Sequence, residues 1–96
     1  MLYCVEMEVN IPETWDEEKI KDYITREQAT SQKYQKSGEW VYLWRVAGQY
    51  SNISILNVES PDELHKILTE LPLFPYMDIT VKSLCKHPNA IRESMI

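Results

Sequence analysis

Apolar and polar residues alternate from the start of the chain. In LYCVEMEV, residues 2 to 9, Tyr3, Val5, Met7 and Val9 share one face, opposite Cys4, Glu6 and Glu8, which predicts a strand. A turn around Pro12 follows. Thr14 stands three residues before Glu17, a capping-box spacing that starts a helix expected from about Asp16 to Lys36. Its inward stripe reads Ile20, Tyr23 or Ile24, Glu27, Ser31 and Tyr34, and Gly38 ends it. Trp40 to Ala47, aromatic and branched, predicts a second strand, and Gly48-Gln49 turns the chain into a third, antiparallel one over Tyr50 to Val58. Ser60-Pro61-Asp62-Glu63 then offers an N-cap serine, a proline at the first helical position and an acidic first turn. Leu64, Ile67, Leu68 and Leu71 form the apolar stripe of this second helix, which Pro72 stops. A last strand is expected over Tyr76 to Leu84, and residues 85 to 96 read as a tail.

The order β-α-β-β-α-β predicts an α+β fold of the ferredoxin-like type, in a single domain over residues 1 to 96. Two helices cover one face of a four-stranded antiparallel sheet. The other face needs cover too if its side chains are large and apolar. Tyr42, Trp44, Val46, Leu56 and the first-strand residues can populate both faces, so a sheet-to-sheet dimer (a dimeric α+β barrel) or a larger ring is expected. The stretch LPLFPYM, residues 71 to 77, holds more apolar residues than a turn requires. It is expected at a pocket edge or a subunit contact.

Composition narrows the partners. Fifteen acidic against ten basic residues give a net charge of -5, and no Lys/Arg cluster appears, which argues against general nucleic-acid binding. The opening residues already alternate like a strand, so no signal peptide is expected, nor any membrane span. A cytoplasmic protein is the expectation. Cys4 and Cys85 form no CxxC pair, the two histidines lack further spaced ligands, and no glycine-rich phosphate loop exists, so neither metal nor nucleotide is expected.

Candidate chemistry starts at Glu27, a carboxylate on an otherwise apolar helical stripe. Burial would raise its proton affinity, as a base working near neutral pH requires; an edge position would leave it solvated. Arg45, inside the second strand, can clamp a carboxylate or form a structural ion pair. Tyr50, Asn52 and Ser54 alternate on one face of the third strand. They can donate hydrogen bonds to an oxyanion or form a solvated face. His65 flanks the second helix's apolar stripe and fits a surface or interface position better than a catalytic one.

The blocks GEWVYLWRVAGQYSNISILNV, SPDELHKIL and LPLFPYMDITVKSLCKHP, in this order and spacing, resemble the muconolactone isomerase family over essentially the whole chain. The resemblance implies an intramolecular isomerase of the catechol ortho-cleavage (3-oxoadipate) route, without metal or organic cofactor. A base takes the proton from the ring carbon bearing the acetate arm, a dienolate forms, and a proton returns beside the lactone carbonyl. The resemblance makes Glu27 the base and shuttle, with Tyr50 and Asn52 as orienting and enolate-stabilising donors. Arg45 becomes a carboxylate clamp by inference, His65 a weaker proton-transfer candidate, and Phe74 and Tyr76 pocket walls. The partner is a small lactone carboxylate, and large homo-oligomers, commonly decamers of five dimers, are implied. A chloromuconolactone dehalogenase, or a non-catalytic oligomerising or ligand-binding module, is the alternative. Tyr42, Ser51 and Gln28 depart from residues common in such relatives.

Overall fold

In the computed structural model, residues 1–92 are described; the last four positions of the expected tail lie outside the described residues. The chain runs β1 (Leu2–Val9), α1 (Glu17–Ser37), β2 (Trp40–Arg45), β3 (Ser51–Asn57), α2 (Pro61–Glu70), a 3₁₀ turn (Phe74–Tyr76) and β4 (Met77–Leu84). The strands form one antiparallel sheet in the order β2-β3-β1-β4. This is the expected β-α-β-β-α-β arrangement. Residues 85–92 belong to no helix or strand and are exposed.

Register fixes what each face carries. Tyr3 lies opposite Leu56, Val5 opposite Ser54 and Met7 opposite Asn52, while a bulge between Trp40 and Tyr42 sets Leu43 beside Ser54 and Arg45 beside Asn52. Directly paired residues share a face, so Arg45, Asn52 and Met7 form one row beneath the helices. Cys4, Ile55 and Tyr42, then Glu6, Ile53 and Trp44, form rows on the opposite face. Tyr42 and Trp44 are exposed there, their rings stacked 6.0 Å apart.

The core lies mainly under α2. Leu64, Ile67, Leu68 and Leu71 pack with Tyr3, Val5, Met7, Leu56 and Trp40. Each such aliphatic side chain contributes roughly 1.5–3 kcal/mol through burial. Helix α2 starts as its sequence predicts: the Ser60 side chain accepts from Glu63 N–H, with Pro61 in the first turn. Helix α1 starts at a different cap. Asp16, not Thr14, is the N-cap, accepting from Lys19 N–H at 2.8 Å. Trp15 N–H bonds to Pro12 C=O, which holds Thr14 in a turn ahead of the helix. Gly38 ends α1 in the left-handed region at φ 91°.

The stripe of α1 is only partly used. Tyr34 is its one buried residue; Ile20, Tyr23, Glu27 and Ser31 are half-buried, and Ile24 is 41% exposed. The N-terminal two-thirds of α1 therefore stands off the sheet. The gap it leaves is the recess described next. Among the described residues, no helix is long and apolar enough to cross a membrane.

Candidate active site

The recess has a volume of about 460 Å³ and opens between α1, the 40–52 hairpin and the segment after α2. That size falls in the range of small-molecule clefts, roughly 300–1,000 Å³. Val9, Ile24, Leu43, Leu73 and Met77 supply its apolar walls. Its chemistry comes from Glu27, Gln28, Ser31, Arg45, Tyr50 and Asn52, with Ser51 beside them.

Each polar group has an identifiable local cause. Glu27 rides on α1 one turn after Tyr23, where helical spacing turns it toward the sheet. Its Oε1 accepts a hydrogen bond from Leu73 N–H at 3.0 Å. Burial pushes the Glu27 carboxyl above the ordinary glutamate value, and the Leu73 N–H pulls it part of the way back. Arg45 and Asn52 stand side by side through the β2–β3 register. The Asn52 carbonyl oxygen accepts from the buried Ser54 hydroxyl at 2.9 Å, which leaves the Asn52 NH₂ as the end free to serve the recess. Tyr50 enters from the hairpin turn. Gln49 N–H closes that turn onto Val46 C=O, and Gly48 sits at φ 81° in the third position, a type II geometry. Val9 N–H then bonds to Tyr50 C=O and ties the residue to the end of β1. The Arg45 guanidinium lies 5.2 Å from the centre of the Tyr50 ring, a cation–π contact that holds both side chains at the mouth.

Other recesses suit an anion poorly. One of about 540 Å³ near the N-terminus is lined by Glu39, Glu59 and Glu63. Another, of about 350 Å³, has Glu6, Glu8 and Asp78 at its rim. The cleft with Arg45 joins a cation, several donors and a carboxyl of raised proton affinity in mainly apolar surroundings.

Four of the seven residues singled out from the sequence, Glu27, Arg45, Tyr50 and Asn52, thus line one recess. His65, Phe74 and Tyr76 do not. His65 is exposed on α2 and meets the Phe74 ring edge-on at 6.2 Å. Tyr76 packs on Trp15 at 4.7 Å and Tyr23 at 6.2 Å. The cause is the 3₁₀ turn at Phe74–Tyr76: its tighter winding rotates both rings out of the wall, so the flanking Leu73 and Met77 line the recess instead. Sequence reasoning missed the Leu73 amide, because a backbone donor leaves no mark in a side-chain pattern. Ser54, expected on the alternating face with Asn52, donates to the Asn52 carbonyl oxygen.

Fold and recess together define a ferredoxin-like α+β domain with a carboxyl-bearing cleft between its first helix and its sheet. The chain belongs to the muconolactone delta-isomerase family, whose model matches residues 1–90. It is 53% identical to muconolactone delta-isomerase 1 of Acinetobacter lwoffii over 93 residues, 97% of each chain. It is 50% identical to the muconolactone delta-isomerase of Rhodococcus opacus, over 95% of this chain and 98% of that one. A crystal structure of muconolactone isomerase superposes with a TM-score of 0.92 at 44% identity, covering 98% of each chain.

Proposed function

We propose that this protein is an enzyme that isomerises muconolactone, moving the ring double bond to give the enol-lactone of 3-oxoadipate. The observation that carries the reading is Glu27: a half-buried carboxyl of raised proton affinity in a recess that also holds a guanidinium, a phenol and an amide. Family membership names the substrate class.

The chemistry follows from these groups. The substrate is an anion, and Arg45 at the mouth attracts its acetate arm despite a net chain charge of -5, because fields at contact distance outweigh distant, screened charge. The Glu27 carboxylate takes the proton from the ring carbon that bears the arm. The electron pair of that C–H bond shifts through the ring double bond onto the carbonyl oxygen, forming a dienolate. Tyr50 O–H and Asn52 N–H donate toward this oxygen as its charge grows, the interaction that lowers the barrier most. Glu27, now protonated, returns the proton to the carbon beside the carbonyl. One hydrogen has moved, and no electrons have been gained or lost. The raised proton affinity of Glu27, caused by its withdrawal from water, makes it a stronger base in the first step.

Included in this reading are a cytoplasmic location and a homo-oligomer built from dimers through the open sheet face, a decamer on the family expectation. The test is ultraviolet absorbance. Muconolactone conjugates its double bond with the carbonyl and the product does not, so absorbance falls with turnover. Purified protein without added cofactor is expected to remove the absorbance. Glu27→Gln, unable to accept the proton, is expected to lose at least about 100-fold in kcat, the usual contribution of a positioned acid–base group. A folded wild type that leaves muconolactone unchanged would overturn the reading.

A further inference from the structure

The segment Leu71–Tyr76 contains two prolines, and its amides are almost fully committed. Leu71 N–H bonds back to Leu68 C=O, Phe74 N–H to Leu71 C=O and Tyr76 N–H to Leu73 C=O. Pro72 and Pro75 have no N–H to give. The Leu73 amide is the donor left over, and it crosses to α1 to meet Glu27 Oε1 at 3.0 Å. Both ends of the segment are pinned. Asn10 N–H donates to Tyr76 C=O at 2.7 Å, and the Tyr76 ring packs against Trp15 and Tyr23, the latter one helical turn before Glu27. The pinning is by backbone hydrogen bonds and the Tyr76 ring, so it does not depend on the Leu73 side chain.

We propose that this double-proline turn is the positioning device for the proton shuttle: it dedicates the Leu73 amide to Glu27 Oε1 and leaves Oε2 to carry the mobile proton. The inference rests on the isomerase reading above. A carboxylate free to rotate would offer either oxygen at a range of angles. One held by a backbone donor presents one oxygen in one plane, over both ring carbons. The same N–H favours the charged form and so opposes burial. Arg45 of β2 and Tyr50 of the hairpin turn are the charged and titratable groups that share the recess with Glu27. Its other contributors from α1, β1, β4 and the turn are uncharged.

The direct test replaces Leu73 with its α-hydroxy analogue, turning the amide into an ester that keeps the side chain but lacks the N–H. The acid limb of the kcat/KM profile is expected to move to higher pH. Activity should fall about tenfold or more on that limb, in line with a lost hydrogen bond to a charged group, and the deficit should narrow as pH rises. Leu73→Ala, which keeps the N–H, should leave the acid limb in place. A merely structural role predicts the reverse, with the alanine variant displaced as far as the ester; that result, or an unmoved limb in the ester, overturns the proposal. Because the ester protein can fail to fold, the wild type supplies a second measurement. Its Leu73 amide proton resonance should titrate with the midpoint of the kinetic acid limb and lie flat in Glu27→Gln. A flat Leu73 resonance in wild type overturns the proposal even where isomerase activity is intact. Absent activity with a titrating amide sinks the function instead and leaves the contact standing.

Discussion

At Glu27 two influences act on one carboxyl group. Withdrawal from water raises its proton affinity, and the Leu73 N–H lowers it by a smaller amount. The folded protein therefore holds this proton more tightly than the unfolded chain. Such a group contributes stability that is complete below the ordinary glutamate range and is lost as pH rises through the folded value. Glu27→Gln cannot ionise, and its amide oxygen can still accept from Leu73. The variant is thus expected to be more stable than wild type near pH 7, with the difference shrinking toward about pH 4. Urea denaturation midpoints at both values check this. A variant less stable than wild type at pH 7 would mean that the carboxylate is not strained by its surroundings. Paired with the expected loss of turnover, a gain in stability would mark Glu27 as a residue kept for chemistry at the expense of the fold.

Among the elements, the β2–β3 hairpin does most to assemble the recess, since its register sets Arg45 beside Asn52 and its turn delivers Tyr50. Gly48 makes that turn possible at φ 81°, and a Cβ added there meets nothing within 4 Å. The penalty for a side chain is therefore conformational alone. Gly48→Ala is expected to cost about 1–2 kcal/mol and Gly48→Asn less, because asparagine tolerates the left-handed region. Equal urea midpoints for the two variants would show that the turn relaxes to another geometry. Local signals of this kind are what the sequence conveys well. Gly38 and the Ser60-Pro61 start act within a few residues of themselves, and the alternation of β1 reports directly which face is buried. Glu27 was legible for the same reason, as a charge on an apolar stripe. What the pattern could not convey depends on distance in three dimensions. Periodicity says which side of α1 faces the sheet but not that the helix stands away from it. The winding of residues 74–76 decides whether Phe74 or Leu73 meets the recess, and Thr14 lost the cap to Asp16 because the Pro12–Trp15 turn holds it outside the helix.

For the molecule as a whole, the unsolved element is the open face of the sheet. A chain of 96 residues buries a smaller share of its surface than a large domain does, and here α1 and α2 cover only one side. On the other side Trp44 is 60% exposed and Tyr42 41%, stacked beside the half-buried Ile53 and Ile55. Apolar area of this kind gains roughly 25 cal/mol per Å² when a partner removes it from water. Glu6 and Lys82 share the face, set in neighbouring cross-strand rows, and give a second copy charges of both signs to match. If the face seals against another copy, a carboxylate at position 44 would be buried without a partner, a change that destabilises an interface by several kcal/mol. Wild type is then expected to sediment as an assembly with a thermal midpoint that rises with concentration, as association requires. Trp44→Asp should sediment as a smaller species whose midpoint no longer depends on concentration. A variant that sediments like wild type would show that this face is not where the copies meet. A wild type that sediments as one chain would show that the sheet tolerates water on its aromatic side.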